Sequence, residues 1–173
     1  MNSSTSNTFF FPAGISGFWS KKDTPPPILE TSPFQEKCEE VKTIGYELIA
    51  IHFAENKRQS YHSALLQKNE EQIVVFCNKY YPIVAFTQPN ALLSANDLIQ
   101  FEPPSVYVAH EMLAAYFNQA PFQVIPSEIL RLEVDADNPE TTSVVHLLYD
   151  VEFAEFAFWE PRSMGDVVFN NWG

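Results

Sequence analysis

Carboxylates and aromatic rings crowd one stretch of this chain. Residues 127–160 carry Glu128, Glu133, Asp135, Asp137, Glu140, Asp150, Glu152, Glu155 and Glu160 against the single base Arg131. Nine acids less one base leaves −8 there, out of a formal −12 for the whole chain. Tyr149, Phe153, Phe156, Phe158 and Trp159 are interleaved with them. Such a surface can attract a cationic partner over a distance and then hold it with a few large apolar anchors. The residues expected to form it are Asp135, Asp137, Glu140, Asp150, Glu152, Glu155, Trp159 and Glu160.

Signatures of catalysis are sparse. His110-Glu111 begins a zinc-protease pattern, but that site needs a second imidazole one helical turn on, and residue 114 is Ala. The other histidines, His52, His62 and His146, lie far from one another in sequence. Asp135, Asp137, Asn138 and Glu140 suggest a calcium loop, yet Pro139 and Glu140 stand where its ligand and its Gly belong. An ordinary turn explains that segment. No nucleophile elbow, dinucleotide fingerprint or P-loop is present, and five Gly in all leave little for a phosphate cradle. Glu152 and Glu155 could form a glycosidase-type pair, although on a strand they would face opposite sides. No metal or cofactor is expected.

Composition narrows the partners. Beyond Lys79 the only bases are Arg131 and Arg162, so the clusters of Lys and Arg that grip phosphates are missing. An anionic membrane would repel the same surface. No apolar run reaches the roughly 18–20 residues that span a bilayer, and the N-terminus lacks the charged and apolar regions of a signal peptide. A cytoplasmic location is expected. Two cysteines, Cys38 and Cys77, make no disulfide framework, and Cys77 in an apolar run reads as a buried thiol.

The elements that must position these residues read as one α+β domain over 34–173, behind a Pro-rich tail over 1–33 that is flexible or docked. Pro25, Pro26 and Pro27 form a stiff spacer. Phe9, Phe10, Phe11, Phe18 and Trp19 are too aromatic for ordinary disorder and point to docking on the domain or on a neighbour. Short β-branched or aromatic runs predict strands at 46–53, 61–67, 73–78 and 80–87, closely spaced as in an antiparallel meander. A helix is expected over 105–118, where Val106, Ala109, Leu113, Tyr116 and Phe117 repeat on one face. Further strands are expected at 128–134 and 144–159, and a capped helix from 164 to 172. The whole predicts a mainly antiparallel sheet of four to six strands with two or three helices on one face.

The function expected from this reading is a non-enzymatic acidic binding protein for a basic protein partner. Acidic single-domain inhibitors of cationic nucleases, bacterial immunity proteins among them, work this way; that likeness is one of charge and size, not of sequence. Two alternatives remain. One is an assembly component that uses its aromatic N-terminal tail. The other is an enzyme whose pocket gathers His110, Glu111, His146 and Cys77 from distant positions. The oligomeric state stays open.

Overall fold

The sheet is a meander built from runs that are apolar on both sides. β1 (Glu47–His52), β2 (Tyr61–Lys68), β3 (Glu71–Asn78) and β4 (Ile83–Thr87) pair antiparallel in sequence order. The β2–β3 hairpin is long and in register from Tyr61↔Asn78 to Lys68↔Glu71, with Asn69 in the left-handed region at its turn. A fifth strand, β5 (Gln123–Val124), adds to β4 in parallel. The structure, a computed structural model, describes residues 9–55, 59–103, 106–135, 137 and 139–172, the side chains of 139 and 140 excepted.

Alternation along the strands divides the core in two. Tyr61, Leu65, Val74, Phe76, Ile83 and Ala85 face one side. Ala64, Leu66, Ile73, Val75, Cys77, Val84 and Phe86 face the other. Both sides are therefore apolar and both must be covered. The second face is closed by α1 (Ser32–Glu39) through Phe34 and Cys38, by α2 (Glu111–Phe117) through Leu113 and Phe117, and by Phe122. The first face is closed by Leu98, Tyr107 and four helices: α3 (Ser127–Leu130), α4 (Pro139–Val145), α5 (Asp150–Trp159) and α6 (Met164–Val168). The α+β class and the mainly antiparallel sheet are as expected. The helices, six among the described residues, lie on both faces and not on one, because inner strands with two apolar faces leave neither free for water.

Three local expectations are overturned. The stretch 128–134 forms no strand: Ser127–Leu130 is the helical turn α3, and only Glu133 makes an isolated bridge, to Ser163. The stretch 144–159 is helical on both sides of a turn, not a strand. α5 is apolar nearly all round, so it shows no 3.6-residue period, and its aromatic residues imitate a strand. The helix expected over 105–118 begins only at Glu111, because residues 106–110 run extended beside β4. There the Val108 N–H donates to the Phe86 carbonyl (3.0 Å), and the Thr87 hydroxyl donates to the Val106 carbonyl (3.0 Å). The C-terminal helix is likewise shorter than expected, ending at Val168. Ser94 and Asp97 cap a 3₁₀ helix, Ala95–Gln100, with the Ser94 N–H donating to Asp97 Oδ2 at 2.7 Å.

The segment before α1 belongs to the core. Phe11 and Ile15 are fully buried against the first face of the sheet. Two buried asparagines hold it there. Asn78 donates to the Ile15 and Val168 carbonyls while its own carbonyl accepts from the N–H groups of Tyr80 and Tyr81. Asn170 donates to the Ser16 and Val167 carbonyls and accepts from the Trp172 N–H. Buried amides satisfied on both sides fix a chain path that apolar packing alone would leave loose.

One buried titratable group sets a pH limit on this fold. His62 on β2 lies between the rings of Phe34 and Phe53, and its Nδ1 accepts from the Ala54 N–H at 2.9 Å. Its Nε2 meets no partner among the described residues. Burial, helped by the charges of Lys79 and His52, lowers this imidazole from 6.5 to about 4. The unfolded chain takes up the proton near pH 6.5 and the folded chain only near pH 4. Stability from neutral His62 is thus complete above that window and is lost as pH falls through it, by about 3 kcal/mol. Urea midpoints at pH 7 and pH 4.5 should drop further apart for the wild type than for His62→Phe. Equal drops would show that another group drives the acid sensitivity.

Candidate functional site

The acidic and aromatic stretch is organised by a carboxylate that points inward. Glu152 is fully buried, and it is the one buried residue of α5. Its Oε2 accepts from the N–H groups of Gly14 (2.9 Å) and Tyr149 (2.8 Å). Its Oε1 accepts from the N–H (3.0 Å) and the hydroxyl (2.6 Å) of Ser16. Local chemistry prepares both sides of this contact. Glu152 stands at the third helical position and reaches back to the N–H of the residue before the helix, as in half of a capping box. Gly14 adopts φ +87°, which curls the chain so that the 14 and 16 amides converge on one anion. A Cβ on Gly14 would also press on the Pro26 ring.

With Glu152 turned in and Phe156 packed against the core, much of the rest of α5 is exposed. Phe158 is 75% exposed, and Phe153 and Trp159 are each 39% exposed. Asp150 and Glu160 are exposed and Glu155 is half-buried. The Trp159 indole lies parallel to Trp172 (6.1 Å, 3°) and donates to Glu155 Oε2 at 2.9 Å. Sequence spacing alone could have found that i, i+4 pair once the segment was known to be helical.

Beside α5 runs a cleft of about 640 Å³, within the range of ligand-binding sites. It is lined by the apolar Val134, Val145, Phe153, Phe156 and Ala157 and by the polar Asp135, Thr141, Thr142, His146 and Glu160. A second cleft of about 350 Å³ shares Glu160 and Pro161 and is walled by Trp159, Arg162 and Trp172. The C-terminal end of α5 therefore forms a ridge between two hollows.

Of the residues expected at a partner surface, Asp135, Asp150, Glu155, Trp159 and Glu160 are gathered on or beside α5. Asp137 is exposed in the loop before α4, its N–H donating to Asp135 Oδ1. The Glu140 side chain lies outside the described residues. Glu152 is a correction: its carboxylate is buried and occupied by main-chain donors, so it cannot meet a partner.

The residues considered for catalysis do not converge. His110 and Glu111 line one hollow and His146 another. Cys77 is buried, and burial pushes its thiol well up, which keeps it protonated and a poor nucleophile. His110 instead joins a cluster that sequence reasoning missed. Its Nδ1 accepts from the Leu113 N–H, capping α2, which leaves the proton on Nε2 to be donated to Glu71 Oε1 at 3.0 Å. The Tyr46 hydroxyl contacts both, at 2.9 Å from His110 Nε2 and 3.3 Å from Glu71 Oε2. Burial and then the Glu71 charge push this phenol up to about 12. The arrangement brackets the start of α2 to the sheet. Its members are 25 to 64 residues apart, with no local motif to reveal them. Among the described residues no group of three or more His, Cys, Asp or Glu could hold a metal, and no helix is long and apolar enough to cross a membrane.

Comparison with known proteins finds no matching family model, no matching curated protein and no matching solved structure.

The two glutamates of α5 should behave oppositely. Glu152→Gln replaces an acceptor oxygen with an amide donor that faces other donors, and should cost about 2–3 kcal/mol in urea unfolding. Glu155→Gln, near the surface, should change stability by no more than about 0.5 kcal/mol. Equal effects would mean that Glu152 does not hold the N-terminal segment.

Proposed function

We propose that this protein is a non-enzymatic binding protein that takes a basic protein partner on the α5 surface, in the manner of a small acidic inhibitor. One observation carries the reading. α5 buries a carboxylate and exposes Phe153, Phe158 and Trp159, which a helix made only to pack against its own core would not do. Large exposed apolar side chains rimmed by charge mark surfaces made for a partner. Here the rim is acidic: Asp150, Glu155 and Glu160 on or next to the helix, with Asp135 and Asp137 beside it.

The two features divide the work. The negative field speeds encounter with a cationic surface and rejects anionic ones, and its reach shrinks with salt. Phe153, Phe158 and Trp159 then supply contact area at small cost in side-chain entropy. Trp159 is already ordered against Trp172, so less freedom is lost on binding.

The test is affinity capture from the native source with the wild type and with the triple variant Asp150→Lys, Glu155→Lys, Glu160→Lys, followed by kinetics on the captured protein. A basic protein should bind the wild type and leave at moderate salt. Its association rate should fall about 10-fold or more with the variant at low salt. Unchanged association with the variant, or a captured protein that is not basic, would refute the reading.

A further inference from the structure

The cleft beside α5 is polarised along its length. α4 and α5 are joined by a short turn, and the chain before α4 meets the chain after α5: Glu133 bridges to Ser163, and the Val134 N–H donates to the Arg162 carbonyl at 3.4 Å. Asp135, just before α4, and Glu160, just after α5, therefore stand at the same end of the cleft. The C-terminal carbonyls of α5 point to that end as well, and no Lys or Arg occupies the last turn of the helix to offset its dipole. Two carboxylates and a bare helix C-terminus all favour a cation there. At the opposite end, in the turn between the helices, the His146 ring meets Phe10 edge-on at 4.3 Å. Between the ends the lining is mostly apolar, Val145, Phe153, Phe156 and Ala157, with Thr141 and Thr142 beside them on α4.

We infer that this cleft seats an amphipathic basic helix of the partner protein. A side chain of Leu or Phe size meets the apolar lining, and a Lys or Arg one turn away, about 5.4 Å along the axis, reaches Asp135 and Glu160. The inference rests on the proposed function and specifies its partner. A groove between two helices is a natural seat for a third, whose anchors recur at three and four residues. A second copy of this chain would bring another −12 against the same carboxylates, and an anionic membrane would meet them too.

The experiment uses the full chain and three synthetic peptides of 18 residues. One is a Lys/Leu helix with Leu on a single face. The second has the same composition with Leu spread around the helix. The third is amphipathic with Gln in place of Lys. Affinities come from calorimetry, and the binding site from amide chemical-shift changes. The Lys/Leu amphipathic peptide should bind about 10-fold more tightly than either control and shift resonances of α4 and α5. Ala157→Trp, a substitution at an exposed position that fills the cleft, should abolish the preference. Asp135→Asn with Glu160→Gln, which leaves the cleft open, should remove the advantage of Lys over Gln. Equal binding of both Lys peptides, unaffected by Ala157→Trp but weakened by the triple charge reversal, would overturn the cleft inference and leave the acidic-surface reading standing. Equal binding of the Gln peptide would show the occupant is not basic, and binding by no peptide would also refute the inference. In the last case the proposed function still stands or falls on its own capture experiment.

Discussion

A buried carboxylate with main-chain donors around it governs the arrangement of this protein. Taking an ion from water costs several kcal/mol unless hydrogen bonds replace its hydration. Glu152 regains that shell from Gly14, Ser16 and the start of its own helix. Each of these bonds is charge-assisted, a class stronger than bonds between neutral groups. Those to Gly14 and Ser16 join residues 136 to 138 positions apart, so the segment around residues 14–16 and α5 are set against each other by one side chain.

The consequences spread in two directions. Inward, the N-terminal segment becomes a belt. Phe11 donates to the Val144 carbonyl, the Tyr81 hydroxyl to the Ala13 carbonyl and the Tyr149 hydroxyl to the Thr24 carbonyl. The belt thus ties α4, the sheet and α5 together before the prolines lead into α1. Outward, the rotation of α5 about its axis is decided. A helix with Glu152 inside turns Phe153 and Phe158, about 100° and 120° round to either side, toward the surface, while Phe156 and Trp159, four and seven residues on, share its inner side, Phe156 against the core and Trp159 against Trp172. The exposed aromatic surface and the fixed carboxylate are one structural fact.

This coupling bears on how the acidic surface would work. Its charges stand on a helix held rigidly at its N-terminal end, with a stacked indole at the other. A rigid, charged and aromatic ridge suits fast capture followed by tight contact, since little of it needs to be ordered on binding. The clefts on either side of the ridge give a partner concave places for its own side chains.

By itself the sequence determined the class of the fold, the four meander strands and the acidic, aromatic character of its last third. Those depend on composition and on local alternation, which any short window carries. Tertiary structure decided the rest. Residues 144–159 read as a strand because aromatics favour strands and α5 has no polar face to betray a helical period. Only the contact of Glu152 with the 14–16 backbone shows which face of that helix is inner. Glu152 and Glu155 look alike in the sequence, two acids three apart. One is a buried anchor and the other a surface group, and the difference lies in main-chain donors that sit more than a hundred residues away. The bracket of Tyr46, Glu71 and His110 was hidden for the same reason. A hydrogen bond between distant residues leaves no spacing in the chain to read.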